Sequence, residues 1–180
     1  VLRPLIRANI WLDENGGANR PEAVKILSRS DYVGADEVIL ANSMTGTFEY
    51  EKGDKRPLPD FNVFARYNGY YPYYSDAVWF LTQMRRWGMI NEEKPDSWYM
   101  EIAKKVYRPD VFKAAAKALV AEGKAKASDF PADSETGIKP ANSDFIDGIA
   151  FDATKPNDYL SKFPIGLKGK QKVSAGKVLN

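Results

Sequence analysis

Carboxylates are the first residues in this sequence with the means to do chemistry. Glu49, Glu51 and Asp54 gather around a Gly53-Asp54 turn, beside Lys52, Lys55 and Arg56. As a general acid and base they would need surroundings that push their pKa values apart. A charged turn next to Pro57 and Pro59 is solvated, so these residues read as surface charge. Two oxygen-rich loops, DENGG at Asp13 to Gly17 and DFIDGIAFD with Asp144, Asp147 and Asp152, offer hard ligands of the kind calcium takes. Counting from Asp13, the twelfth position is Val24, where an EF-hand loop needs a bidentate Glu. The loops therefore read as a helix-ending turn and an Asp-capped turn, with no metal.

The sequence contains no histidine, which removes imidazole shuttles, His-based triads and His metal sites. It contains no cysteine either, which removes thiol nucleophiles, disulfides and thiolate-bound metals. Phosphate-cradling GxxxxGK[ST] and GxGxxG motifs and the GxSxG nucleophile elbow are missing. No cofactor is expected. The basic C-terminal stretch carries Lys162, Lys168, Lys170, Lys172 and Lys177 with no acid after Asp158. Beyond Phe163 it lacks the interleaved aromatics on which single strands stack, so no nucleic-acid partner is expected.

The densest chemical feature is aromatic. Ten of the 23 aromatic side chains lie between Phe61 and Trp87. Tyr70 to Tyr74, around Pro72, could wall a sugar or an ammonium group, or lie over the start of a helix with their hydroxyls at the water boundary. Trp79, Phe80 and Trp87 fall within the helix itself and read as core. For an oxyanion, which wants convergent N–H donors and Arg or Lys in a dry cleft, the weak local candidates are Arg66, Asn68 and Tyr70.

The elements that position these residues are mostly helical. At 180 residues, 44% apolar and 28% charged, with a net charge of +2, the chain has the composition of a globular protein. No window approaches roughly 18 consecutive apolar residues. Helical spacing runs from Leu2 to Asp13, with Leu2, Leu5, Ile6, Asn9 and Ile10 on one face. Pro21 suits a first helical position, with Ala23, Val24, Ile26 and Leu27 turned to a core. A third helix, Asp36 to Met44, has Val38, Ile39 and Ala41 as its apolar positions and stops at Gly46. The alternation Thr47-Phe48-Glu49-Tyr50-Glu51 followed by Gly53-Asp54 predicts a short hairpin or two extended arms. Ser75 reads as the N-cap and Gly88 as the stop of the aromatic helix. Helices over Asp96 to Tyr107 and Pro109 to Glu122 follow, then a surface loop to Ser143, a turn around DFIDGIAFD and a short helix from Pro156. The domain reading is 1–163 as one portion and 164–180 as an extended Lys/Gly-rich tail.

Several of these stretches also carry a likeness. NIWLDE, NRPEAVKILSR, NSMTGTFEYEKGD and above all YPYYSDAVWFLTQMRRWG resemble, in this order, the C-terminal half of the nitrate- and bicarbonate-binding subunits of ABC uptake transporters. These are the NitT/TauT branch of periplasmic solute-binding proteins, and FIDGIAFDATKPNDYLSKF extends the likeness to about residue 163. The resemblance implies a predominantly α chain that is the C-terminal helical part of an α/β two-lobed, periplasmic-binding-protein-like fold. It implies a small oxyanion ligand, ABC permease subunits and the protein's own N-terminal lobe as partners, and no catalysis. It implies a periplasmic or membrane-anchored location. The main anion site, and the calcium ligands of bicarbonate-binding relatives, are expected upstream of Val1. The alternative is a cytoplasmic nitrate/nitrite sensor on the same fold, acting through a regulatory partner.

Overall fold

The computed structural model describes residues 1–132 and 135–166. Most of the expected tail, residues 167–180, therefore lies outside the described residues. Described residues fall into two compact units, Val1–Tyr71 with 110–132, and Pro72–Pro109 with 135–166.

In the first unit, α1 spans Leu2–Asp13 and α2 spans Arg20–Ser28. Positive φ at Asn15, Gly16 and Gly17 breaks the chain between them, as the Asn-Gly-Gly signal predicts. Helix α3 spans Glu37–Met44 with Asp36 at its N-cap. Strands β1, Thr47–Glu49, and β2, Lys55–Pro57, pair antiparallel with Phe48 opposite Arg56. The hairpin alternative is the one realised, with Gly53 at φ +87° in its turn. Helix α6, Pro109–Ala121, contributes buried Phe112, Ala116 and Leu119 to this unit.

Helix sidedness departs from periodicity here. Ala23, Val24 and Met44 form a core with Leu12, Leu40 and Phe64 packed against it. Val38 and Ile39, apolar positions of α3, are 83% and 65% exposed. Leu5, Ile26, Val111 and Val120 are exposed as well. An eight-residue helix such as α3 has too few turns for spacing alone to choose which apolar arc faces the core.

The second unit is built from α4, Tyr74–Arg86, α5, Asp96–Val106, and α7, Pro156–Leu160. Val78, Tyr99, Ala103, Phe151 and Tyr159 are its buried centre, with Trp79, Trp98 and Phe145 packed around them. Trp79 stacks on Phe145 with centroids 4.3 Å apart and meets Phe151 and Tyr159 edge-on. An isolated bridge between Asn142 and Phe151 closes the DFIDGIAFD turn.

Two expectations for α4 need correction. Ser75 is not its cap: the helix begins one residue earlier, and the buried Ser75 Oγ accepts the Lys139 N–H at 3.1 Å. The Ser75 N–H donates to the Gly137 carbonyl, so a neighbouring segment satisfies this helix end. Phe80 and Trp87 are not core: they are 59% and 48% exposed, on the arc opposite Val78 and Thr82. The stop is as predicted. Gly88 at φ +75° donates to the Arg85 carbonyl while Met89 donates to Met84, a Schellman closure.

Candidate functional site

The loop holding Arg66, Asn68 and Tyr70 belongs to the first unit and is fixed by a buried ion pair. Asp13, the last residue of α1, meets the Arg20 guanidinium with side-chain exposures of 4% and 5%. Arg20 also donates to the carbonyls of Leu12, Met44 and Asn62 at 3.1, 3.2 and 2.8 Å. One Asp13 oxygen accepts three successive backbone N–H groups, from Phe64, Ala65 and Arg66, at 2.9, 2.7 and 2.9 Å. Burial pushes the Asp13 carboxyl up, but the Arg66 amide, the Arg20 guanidinium and the Phe64 and Ala65 amides outweigh it and hold it below the usual carboxylate range.

Beyond this clamp the backbone is strained. Tyr67 and Asn68 adopt φ of +58° and +54°, consecutive left-handed residues without glycine. Such residues cost on the order of 1–3 kcal/mol each and concentrate at working sites. The Tyr67 ring is 73% exposed. Tyr67 follows directly on the three amides that Asp13 holds, and no residue type around it marks its left-handed backbone.

Each of the three predicted residues has a definite place. Arg66 pairs with Asp60 at 2.8 Å, donates to the Pro59 carbonyl at 2.7 Å and lies 3.8 Å from Asp13. Asn68 carries the strained backbone, and its carbonyl accepts the Tyr71 N–H. Tyr70 donates its hydroxyl to the Asp129 carbonyl at 2.9 Å and packs edge-on against Phe112. Burial, with Asp129 nearby, pushes the Tyr70 phenol up, so it stays a neutral donor. The structure brings Arg66 and Asn68 into one loop but turns the hydroxyl of Tyr70 into the fold. Tyr71 and Tyr73 are buried.

The remaining candidates have structural occupations. Glu49 accepts the Gly53 N–H and Asp54 pairs with Arg56 at the exposed hairpin turn. Asp147 accepts the Ile149 N–H and the Tyr159 hydroxyl, and Asp152 accepts from Thr154. Among the described residues, no three acidic side chains gather as a metal site requires. A cavity of about 390 Å³ lies along α6, walled by Phe112, Ala116, Val120, Phe130 and Pro131, with Lys113 and Lys117 also lining it. Its walls are mostly apolar, unlike the convergent donors an oxyanion needs.

No protein-family model matches the chain. It is 32% identical over 168 residues to the nitrate/nitrite binding protein NrtA of Nostoc sp., a match covering 92% of this chain and 35% of that protein. It is 30% identical over 172 residues to the bicarbonate-binding protein CmpA of Synechococcus elongatus, covering 92% of this chain and 36% of the relative. Among solved structures, it superposes on the periplasmic nitrate-binding protein NrtA of Synechocystis with a TM-score of 0.74 and 28% identity, covering 91% of this chain and 40% of the other. The chain thus spans about a third of the length of the curated relatives it matches. Sequence and fold both liken this chain to one stretch of the nitrate- and bicarbonate-binding proteins.

Proposed function

We propose that this chain is a helical portion, residues 1–163, of a solute-binding protein that takes a small oxyanion, nitrate, nitrite or bicarbonate, for an ABC-type importer. The observation that carries this is the agreement of 91% of the chain with a nitrate-binding protein at a TM-score of 0.74. The relatives named above are binding proteins, and the proposed role is binding and delivery without catalysis. The one deeply buried carboxylate described above, Asp13, supports this: it is taken up by Arg20 and three amides rather than poised as an acid or base. The sensor alternative gains nothing from these relatives.

The main anion contacts on this reading lie in polypeptide preceding Val1 in the whole protein. Arg66, Asn68 and Tyr70 contribute at most the edge of a site. Arg66 already faces Asp60 and Asp13, which leaves little positive potential for a ligand. Tyr67 and Asn68, strained and partly or fully open, are the better local contacts. The exposed apolar side chains of α3 and α4, Val38 and Ile39 in one unit and Phe80 and Trp87 in the other, are where the remainder of the receptor would pack. A periplasmic or membrane-anchored setting, with permease subunits as partners, follows from the same reading.

Calorimetric titration of the gene product that contains this chain, with nitrate, nitrite and bicarbonate, tests the proposal. Heat and saturation with one of the three are expected; none with any small oxyanion would overturn it. The 180-residue chain alone is expected to bind none of them tightly.

A further inference from the structure

The last turn of α4 buries an arginine that, among the described residues, has no carboxylate partner. Arg85 is 9% exposed. Among the described residues its guanidinium donates one hydrogen bond, from Nη1 to the Ile90 carbonyl at 3.2 Å, and joins no ion pair. A guanidinium offers five N–H donors in a rigid fork, and those of Nε and Nη2 are not among the enclosed unpaired atoms, so they open on accessible surface. The negative end of the α4 dipole steadies the charge without consuming those donors. A largely buried positive fork whose free donors open on a cavity is a place where an anion can bind.

Arg85 lines a cavity of about 350 Å³ within the second unit, together with Lys94, Glu93 and the apolar Leu160, Phe163 and Ile165. The Lys94 ammonium pairs at 2.5 Å with Glu92, whose side chain is 79% exposed. An ion pair with so solvated a partner exchanges readily. Glu93 is itself exposed, at the rim. The inner wall therefore combines a positive fork with an aliphatic and aromatic surface.

We propose that this cavity takes a carboxylate, its two oxygens on the Arg85 fork, Lys94 adding charge, and its aliphatic part against Leu160, Phe163 and Ile165. Paired oxygens match the guanidinium as a point charge cannot. The volume falls in the range of small-molecule sites and exceeds what a bare inorganic oxyanion fills. The carboxylate could come from a free short-chain acid or from an Asp or Glu side chain of another polypeptide segment. The site is independent of the oxyanion reading above, whose contacts are placed elsewhere.

The test is a nuclear magnetic resonance titration of the isotope-labelled gene product that contains this chain with acetate, butyrate, nitrate and an uncharged-ended tripeptide bearing a central glutamate between two leucines, at constant ionic strength. It is read at the Arg85 Nε–Hε and Ile165 amide resonances. Saturable shifts with acetate and butyrate, butyrate saturating at lower concentration and nitrate weakest, are expected. Arg85→Lys, which keeps the charge but not the fork, should weaken butyrate by about tenfold. Tighter saturation by the peptide than by butyrate would assign the site to a polypeptide carboxylate, and the reverse to a free acid. No saturable shift at Arg85 up to tens of millimolar, or shifts with nitrate equal to those with butyrate, would overturn the proposal whatever the variant does.

Discussion

Asp13 and Arg20 form an ion pair at the end of α1 whose two side chains are 4% and 5% exposed, and the same carboxylate binds three consecutive amides of the loop 51 to 53 residues further on. One charge thereby fixes the end of a helix, the start of the next and the approach to the strained Tyr67-Asn68 pair. Removing one partner of such a pair strands the other in a dry environment, which costs about 3–5 kcal/mol. Asp13→Ala should therefore lower the unfolding free energy by about that amount in urea titration. Asp13→Ala combined with Arg20→Met should lose less than the single change, because no charge is left behind. Loss of under about 1 kcal/mol for the single variant would show that the pair does not hold the loop.

The same carboxylate predicts an acid limb. Its folded pKa is depressed relative to the unfolded chain, so its contribution is complete above the unfolded carboxylate value of about 3.9. The contribution is lost as pH falls from there through the folded value. Stability of the wild type should therefore drop from about pH 4 downward more steeply than that of Asp13→Asn, which has no proton to take up. Urea midpoints measured at stepped pH for both proteins check this. Parallel curves would place the acid sensitivity elsewhere.

Trp79 and Phe145 lie face to face, 4.3 Å between centroids and 10° between planes. A double-mutant cycle with Trp79→Leu and Phe145→Leu should give a coupling of about 0.5–1.5 kcal/mol. Trp79→Ala alone should cost about 3–5 kcal/mol, since the indole also meets Phe151 and Tyr159. Additive single effects would mean that the stack contributes area and nothing specific.

Gly88 tests the helix stop. A Cβ there would stand 2.8 Å from the Gly166 Cα, and φ is +75°. Left-handed strain alone costs an L-residue about 1–2 kcal/mol. Gly88→Ala should therefore destabilise by about 2 kcal/mol or more and disturb the contact in which the Gly166 N–H donates to the Arg86 carbonyl at 3.0 Å. Thermal unfolding measures the first effect, and hydrogen exchange at Gly166 the second.

These sites show which information a sequence holds locally. Helix ends were legible because Asn15-Gly16-Gly17, Pro21, Pro109, Gly88 and Gly123 act through their own φ preferences and missing donors. The likeness to nitrate-binding proteins was legible because it was read from long continuous stretches such as YPYYSDAVWFLTQMRRWG rather than from single residues. Sidedness was not. Val38, Ile39, Phe80 and Trp87 look like core by periodicity and stand exposed, while Arg20 and Arg85 look like surface and are buried. Burial is decided by which segment packs on a face. Asn62 and Phe64, more than 40 residues from Arg20, bury it through a carbonyl and a ring. The positive φ of Tyr67 lies beside amides held by a carboxylate distant in sequence, and its residue type gives no warning of it.

Tyr67 is where stability and function should part. An aromatic residue at φ +58° carries strain that asparagine tolerates better, and its ring is mostly in solvent. A cationic neighbour of the ring, Arg66 at 5.8 Å, is partly exposed and returns little. Tyr67→Asn should therefore leave thermal stability unchanged or raise it by up to about 1 kcal/mol. If the loop edges the anion site of the whole protein, the same substitution should weaken nitrate or bicarbonate binding severalfold while stability holds. Calorimetry and thermal unfolding on the same preparation separate the two effects. Unchanged affinity would remove the loop from the site, and lost stability would mean that the ring is a packing residue whose strain is offset by contacts with the rest of the protein.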